Sequence, residues 1–157
     1  MDDYAIESLR RARTAIDDGS LVPEMAPVTV RTRRGETVVT DDEQPPKADL
    51  ERIPTLKAAF AKDGTITAAN ASSISDGGSA LLLMAASEAE SRGLKPMARI
   101  VAHARHSQAP REFTIAPVGA IEKLFAKTGW SRDDVDLFEI NEAFAMVTML
   151  TGGAALA

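Results

Sequence analysis

The first segment of the chain has the apolar spacing of an amphipathic helix. Apolar residues recur every three or four positions, at Ala5, Leu9, Ala12 and Ile16. Gly19 follows where a C-terminal cap is expected, and Glu7 can pair with Arg11 one turn later. We expect the basic face that includes Arg13 to be solvated. The pattern predicts a helix from residue 2 to residue 18.

Short strands are predicted between residues 22 and 40. Val28 and Val30 point to one face, and Arg34-Gly35 offers a turn before Thr37-Val38-Val39. The next stretch, residues 41–47, is acidic and contains two adjacent prolines. We interpret it as a solvated connector or a binding loop.

The middle of the chain combines a short helical pattern with a run of small residues. Residues 50–60 are predicted to form a short helix that is interrupted at Pro54. Residues 64–78 are mostly small and polar, so a ligand or another chain can approach the backbone closely. They end in Asp76-Gly77-Gly78, which we interpret as a tight turn because the lysine and the spacing of a phosphate loop are missing.

Three further segments are predicted to be strands that alternate with helices. The strand candidates are residues 79–86, 98–105 and 135–140. The first is almost entirely apolar, as in a strand buried on both faces, although periodicity alone does not distinguish it from a buried helical turn. A capping box of Ser87 and Glu90 opens one helix, which ends at Gly93. Two more helices are predicted at residues 117–128 and 141–150, and the alternation predicts an α/β fold.

Composition and charge exclude several functions. The 157 residues are 45% hydrophobic and 26% charged, and the net charge of −5 argues against a nucleic-acid partner. No apolar run approaches the roughly 18 residues of a membrane span, so we expect no membrane partner. The start Met1-Asp2-Asp3 does not resemble a targeting peptide, and we expect a cytoplasmic protein. The chain has no cysteine, which excludes a disulfide, a thiolate metal site and a cysteine nucleophile within it.

Asn141 and Glu142 are candidates for chemistry because they directly follow a predicted strand. Ligands of open α/β sheets collect at the carboxyl ends of strands. Asn141 could orient a water or donate to an oxyanion, or it could cap the helix that follows. Glu142 could act as an acid or base, but it has no visible carboxylate partner, so a salt bridge or a first-turn role is the alternative.

The histidines and a sequon are weaker candidates. His103 and His106 would point to opposite sides of the predicted strand, so we do not expect them to bind a metal together. Asn70-Ala71-Ser72 matches the glycosylation sequon, but without a secretory signal the match means little.

Several short sequence motifs follow one another along the chain. They are Asp42-Glu43-Gln44-Pro45, Gly64-Thr65-Ile66-Thr67-Ala68-Ala69-Asn70-Ala71-Ser72, Asp76-Gly77-Gly78, Gly129-Trp130 and Asn141-Glu142-Ala143-Phe144-Ala145. Together they resemble the thiolase family, acetyl-CoA acetyltransferases in particular, from the first helix to about Leu150. The resemblance implies a layered α/β/α/β/α fold, represented here by its loop region and the junction of its two half-domains. Residues 1–75 match part of the coenzyme A-binding loop region, 76–95 the end of the N-terminal half-domain, and 96–157 the truncated start of the C-terminal half-domain.

The resemblance also implies a substrate path. Thiolases join or cleave acyl units on coenzyme A through an acyl-cysteine, without a metal or a permanently bound cofactor. Coenzyme A thioesters are therefore the expected substrates. Leu56 and Phe60 resemble apolar residues that line the adenine and pantetheine path. Ala68 and Ser72 match positions that touch the pantetheine arm, where a hydroxyl can satisfy an amide.

Asn141 matches the family asparagine that holds a water stabilising the thioester oxyanion, and Phe144 matches the aromatic residue beside the acyl tunnel. Two positions depart from the family pattern. Ala69 stands where many members have glycine, and Pro46 stands near a place where many have arginine. Both departures concern the predicted coenzyme A contacts.

A thiolase also needs a nucleophilic cysteine, a second cysteine as base and the histidine of a Gly-His-Pro motif. We expect the first to lie before Met1 and the others after Ala157. The predicted function is an acetyl-CoA C-acetyltransferase of fatty acid metabolism, inactive as this isolated chain and a homo-oligomer, tetramer or dimer, when complete. The alternatives are a non-catalytic coenzyme A-binding or subunit-interaction fragment, and a remnant without function.

Overall fold

The computed structural model describes residues 1–75 and 77–155, with side chains through residue 153. Two compact units, Met1–Ala71 and Ser72–Ala157, divide the chain. The described helices and strands are α1 (Asp2–Asp17), β1 (Val28–Thr32), β2 (Gly35–Val39), α2 (Gln44–Lys47), α3 (Ala86–Ser91), α4 (Ala116–Thr128) and α5 (Ala145–Ala155).

The helix predicted from residue 2 to residue 18 is confirmed as α1, Asp2–Asp17, in the first unit. Gly19, just after its C-terminal cap, has φ 73°, a conformation that glycine adopts without a steric penalty. The predicted pair also forms, with 2.7 Å between Arg11 Nε and Glu7 Oε1. The expectation of a wholly solvated basic face is wrong, because Arg13 Nε donates to the carbonyl O of Pro45 at 3.0 Å and Arg13 Nη2 donates to that of Ala48.

The predicted short strands form as β1 and β2, an antiparallel hairpin in register from Val28 opposite Val39 to Thr32 opposite Gly35, so Gly35 belongs to a strand and the turn lies one position before the predicted Arg34-Gly35. Residues 33 and 34 make the turn, and all ten strand residues are exposed. The helix predicted over residues 50–60 is wrong: only a 3-10 turn, Ile53–Thr55, forms there. Pro54 has no N–H to continue a helical hydrogen-bond ladder, and Leu56 is already extended, with ψ 141°.

The second unit contains α3, α4 and α5. Helix α4 ends as predicted at Gly129, which is left-handed with φ 74°. Helix α3 forms, but its capping box does not, because Ala85 takes the N-cap position and makes no side-chain cap. The predicted turn at residues 76–78 includes Asp76, which lies outside the described residues.

The strands predicted at 79–86, 98–105 and 135–140 are wrong within the described residues, where the only sheet is the β1–β2 hairpin. A strand needs a neighbour for its backbone hydrogen bonds, and the described chain places none beside these segments. Some of their apolar residues are correspondingly open, with exposed fractions of 86% for Leu81 and 89% for Leu137.

One of these segments retains the burial pattern of a strand. From Val101 to Gln108, exposed and half-buried residues alternate, as in a strand covered on one side. Helix α4 supplies the cover: Lys123 Nζ donates to the carbonyl O of Arg105 at 3.0 Å, and Lys127 Nζ donates to that of His103 at 3.2 Å.

The next contact along α4 is one turn earlier. His106 packs so closely on Gly119 that a Cβ there would lie 2.5 Å from the imidazole ring. The residue 135–140 segment also touches α4, since the Phe138 and Phe125 rings meet edge-on with centroids 6.5 Å apart. Among the helices that the structure describes, none is long and apolar enough to cross a membrane.

Candidate functional site

The turn at residues 141–144 leads into α5 and is tied to Ser72. The Ser72 hydroxyl donates to the carbonyl O of Glu142, 70 positions away in sequence. The Ser72 backbone N–H donates to the carbonyl O of Ala143 at 3.0 Å. Two of the predicted site residues, Ser72 and Asn141, are therefore brought close together within the second unit.

Asn141 is exposed and lies outside the helix. Because α5 begins at Ala145, the N-cap position falls on Phe144, and Asn141 is too far upstream to cap the helix. No hydrogen bond holds its side chain to another described residue. Its side-chain N–H groups can thus donate to a water or an oxyanion, and its carbonyl oxygen can accept from a water.

Phe144 and the base of α5 form the rigid side of this turn. The Phe144 ring meets the Phe113 ring at 6.0 Å between centroids, with the planes tilted by 58°. Ala145 and Val147 are buried, and Thr151 is fully buried, with its hydroxyl donating to the carbonyl O of Val147 at 2.7 Å. The helix that follows the turn is therefore anchored by packing as well as by hydrogen bonds.

The other predicted residues, Leu56, Phe60 and Ala68, lie in the first unit. The backbone N–H of Ala59 donates to the carbonyl O of Ile66 at 2.8 Å, which places the 56–60 segment beside the 66–68 segment. Leu56 is half-buried, Ala68 is exposed, and Phe60 exposes 76% of its surface. This unit therefore presents an aromatic ring and a small residue from two adjacent segments.

Asn70 holds the small-residue loop in place. It is 3% exposed, and its Oδ1 accepts from the Thr67 N–H at 2.9 Å. Its Nδ2 donates to Asp2 Oδ1 and to the carbonyl O of Thr65, both at 3.0 Å. The amide of the sequon is thus buried and occupied by protein contacts. Sequence reasoning missed this role because the Asp2 partner is 68 positions away and leaves no local pattern.

The acidic proline loop lines an open depression of about 380 Å³ on the first unit, formed by Glu43, Gln44, Lys47 and Ala48. Lys47 Nζ lies 2.9 Å from Glu43 Oε2, so the lysine charge is paired across one helical turn. None of the predicted site residues lines this depression.

Of the two histidines, His106 has its side chain held by a protein contact, and His103 is exposed. His106 Nε2 lies 3.0 Å from Gln108 Oε1, and its buried Nδ1 has no hydrogen-bond partner in the described structure. Within residues 1–75 and 77–153, no group of three histidine, aspartate or glutamate side chains could hold a metal ion.

The resolved pKa shifts belong to turns, away from these residues. The backbone N–H and the hydroxyl of Ser20 lower the pKa of Asp18, and those of Ser131 lower the pKa of Asp134. Both carboxylates are exposed caps, so their shifts describe local turn stability.

Comparisons with protein families match nearly the whole chain. Residues 1–87 match the thiolase N-terminal domain, and residues 94–155 match the thiolase C-terminal domain. The acetyl-CoA acetyltransferase of Yarrowia lipolytica is 44% identical over 148 residues, which cover 94% of this chain and 37% of that protein. The probable acetyl-CoA acetyltransferase of Dictyostelium discoideum is 46% identical over 147 residues, 93% of this chain and 36% of that protein.

Solved structures of thiolase-family proteins also superpose on nearly the whole chain. The Bacillus anthracis acetyl-CoA acetyltransferase superposes with a TM-score of 0.90 at 39% identity, over 99% of this chain and 40% of that one. An Ascaris suum thiolase in complex with coenzyme A superposes with a TM-score of 0.83 at 35% identity, over the same shares. The chain therefore spans little more than a third of the length of the curated relatives described.

Proposed function

The chain belongs to the thiolase family, whose folds are layered α/β, and from this premise we propose that it forms the coenzyme A-binding and oxyanion-stabilising part of an acetyl-CoA C-acetyltransferase. The reaction of the complete protein would be the Claisen condensation or thiolysis of acyl-CoA through an acyl-cysteine. These 157 residues contain no cysteine, so they contribute binding and polarisation and cannot supply the covalent step.

The observation that carries the proposal is the Asn141 turn. Asn141 is exposed on a turn that Ser72 holds on one side and α5 anchors on the other. A side-chain amide that hangs from a restrained backbone and bonds to none of the described residues is suited to hold a water against a developing thioester oxyanion. Phe144, packed against Phe113, would border the acyl chain beside it.

The first unit supports the coenzyme A part of the proposal. Phe60 offers an exposed ring to an adenine, with Leu56 and Ala68 along the path of the pantetheine. Lys57 and Lys62 flank that ring in sequence and would favour the anionic phosphates of coenzyme A. The ligand would be a substrate, with no permanently bound cofactor.

We further assign the complete protein to the cytoplasm, to fatty acid metabolism and to a homo-oligomeric state, dimer or tetramer. The last two assignments rest on the resemblance to the thiolase family. Relatives include both mitochondrial proteins and proteins without a compartment in their names, so cell fractionation decides the first.

A thiolysis assay tests the catalytic part of the proposal. The purified 157-residue chain is incubated with acetoacetyl-CoA and coenzyme A, and loss of acetoacetyl-CoA is followed by absorbance. We expect no turnover above background, because covalent thiolysis needs a cysteine nucleophile that this chain does not contain. Turnover that disappears in Asn141→Ala would contradict this, since it would require another nucleophile.

Calorimetric titration with coenzyme A tests the binding part. Phe60→Ala is expected to weaken binding about five- to 150-fold, because stacking of a base on an aromatic ring contributes roughly 1–3 kcal/mol. Val22→Ala is the matched control, an exposed apolar residue of the same unit outside the predicted path. Equal affinities of the two variants, or no binding to the unmodified chain, would refute coenzyme A recognition by this unit.

A further inference from the structure

The β1–β2 hairpin of the first unit is a sheet with two open edges. All ten of its residues are exposed, and no third strand joins it within residues 1–75 and 77–155. A two-stranded hairpin is marginally stable by itself and gains stability when further strands extend it. Its outer N–H and C=O groups form a template on which another strand can pair. The hairpin is therefore a candidate interaction surface.

The two ends of β2 carry opposite charge. Arg33 and Arg34 form the turn before it, and neither makes an ion pair with another described residue. The third arginine of this end, Arg31, is already paired, with 2.8 Å between its Nε and Glu36 Oε1. Residues 41–43, just past the other end, are all acidic. The strand thus runs from an unpaired basic end to an acidic end.

This charge order makes β2 complementary to an antiparallel copy of itself. When a two-fold axis passes through Val38, Arg34 lies opposite Asp42 of the second copy and Arg33 lies opposite Glu43 of the second copy. The axis repeats both pairs, which gives four pairs of opposite charge. Opposite charges on facing strands stabilise a sheet, whereas like charges destabilise it.

The outer edge of β1 lacks this complementarity. An axis through its central residue, Val30, would set Arg33 opposite Pro27 and Arg34 opposite Ala26, so no acidic residue would meet the arginines. Pro27, directly before β1, also has no N–H to donate to a neighbouring strand. The charges and the backbone therefore both favour the β2 edge.

We propose that β2 is a self-association edge, on which a second copy of the chain lays its own β2 antiparallel to form a four-stranded sheet. This names a surface for the homo-oligomeric state assigned above, and it depends on the hairpin alone, without coenzyme A. The partner is a second copy because one strand supplies both halves of the charge pattern. A surface of this size supports a weak dimer that forms reversibly with concentration.

Sedimentation equilibrium of the full 157-residue chain measures the association. We expect the dimer fraction to rise with protein concentration and to fall as salt is added, because salt screens exposed charge pairs. Reversing one end of the strand, with Arg33→Glu/Arg34→Glu, sets like charges opposite each other, and we expect the dissociation constant to rise about tenfold or more. Reversing the other end, with Asp41→Lys/Asp42→Lys, should weaken the dimer in the same way.

An equimolar mixture of the two reversed variants restores opposite charges across the pair. We expect the mixture to form a heterodimer although neither variant dimerises well by itself. This restoration also guards against misfolding, since Asp42 Oδ1 accepts from the Gln44 N–H and its replacement disturbs that local turn. The matched control is Arg10→Glu/Arg52→Glu, which makes the same change in net charge at exposed positions of the first unit outside the hairpin.

Oxidative cross-linking tests which edge pairs. The chain has no cysteine, so an introduced cysteine is unique. In Val38→Cys, the two Cβ atoms facing each other across the axis would lie about 4.5–5.5 Å apart, close enough for a disulfide after a small shift. Val28→Cys is the control, because Val28 is as exposed as Val38, 59% against 58%, but lies on the far strand, about 14 Å from its copy. We expect a disulfide-linked dimer from Val38→Cys and little from Val28→Cys.

The outcomes are decisive in both directions. A chain that stays monomeric at every concentration refutes the self-association edge. Association that Arg33→Glu/Arg34→Glu changes no more than Arg10→Glu/Arg52→Glu does refutes it as well, since the chain then associates through another surface. Equal cross-linking of Val38→Cys and Val28→Cys has the same consequence. None of these results touches coenzyme A recognition, which the calorimetric titration decides.

Discussion

Replacing Gly119 by alanine is expected to destabilise the second unit, although alanine is the better helix former. A Cβ at this position would lie 2.5 Å from His106 Cε1 and Nδ1, well inside van der Waals contact. The ring cannot retreat without cost, because His106 Nε2 is bonded to Gln108 and Gln108 Nε2 donates to the carbonyl O of Glu112 at 2.8 Å. The substitution therefore disturbs the contact between α4 and the residue 101–108 segment.

The magnitude follows from two opposing effects. Alanine in place of glycine inside a helix stabilises by up to about 1 kcal/mol. Forcing a methyl group into packed space costs about 1–3 kcal/mol, and a lost hydrogen bond adds about 0.5–1.5 kcal/mol. We therefore expect Gly119→Ala to lower the free energy of unfolding by about 1–2 kcal/mol.

Urea unfolding followed by circular dichroism measures this effect. Gly152→Ala is the control, since Gly152 lies in α5 and a Cβ there would meet nothing within 4 Å, so we expect no loss of stability. In a second control, the double variant His106→Ala/Gly119→Ala should cost no more than His106→Ala alone, because the clashing ring is gone. The packing argument is wrong if Gly119→Ala and Gly152→Ala change stability equally.

Three other predictions concern the surface and the loops. Ser131→Ala should raise the pKa of Asp134, measured by NMR titration; because the native pKa is lowered, this turn is stabilised at neutral pH, and the contribution is lost as the pH falls through the native pKa. Arg13→Gln should speed limited proteolysis of the loop that its guanidinium holds, whereas Arg11→Gln, with an exposed partner, should not. Leu82→Lys should leave stability within about 0.5 kcal/mol and reduce binding of an apolar fluorescent dye, because 83% of Leu82 is exposed; a larger loss of stability would refute that exposure.

The candidate site was only partly predictable from the sequence. The family motifs identify Asn141, Phe144 and Ser72 as site residues, and these assignments stay predictions. These motifs do not show what each side chain contacts. The sequence suggested a hydroxyl for a ligand amide at Ser72, whereas the structure gives its proton to the carbonyl O of Glu142. Arg13 was expected to be solvated, and it holds a loop more than thirty positions away.

The sequence by itself determined the elements whose hydrogen bonds and signals are local. Helices α1 and α4 and the β1–β2 hairpin form near their predicted bounds, because apolar spacing, a glycine after each helix and a two-residue turn act over a few residues. The tertiary structure decided the rest. Residues 79–86, 98–105 and 135–140 have the composition of strands, but a strand exists only when another segment accepts and donates its backbone hydrogen bonds. Whether that neighbour is present depends on residues far away in the chain, and no local pattern contains that information.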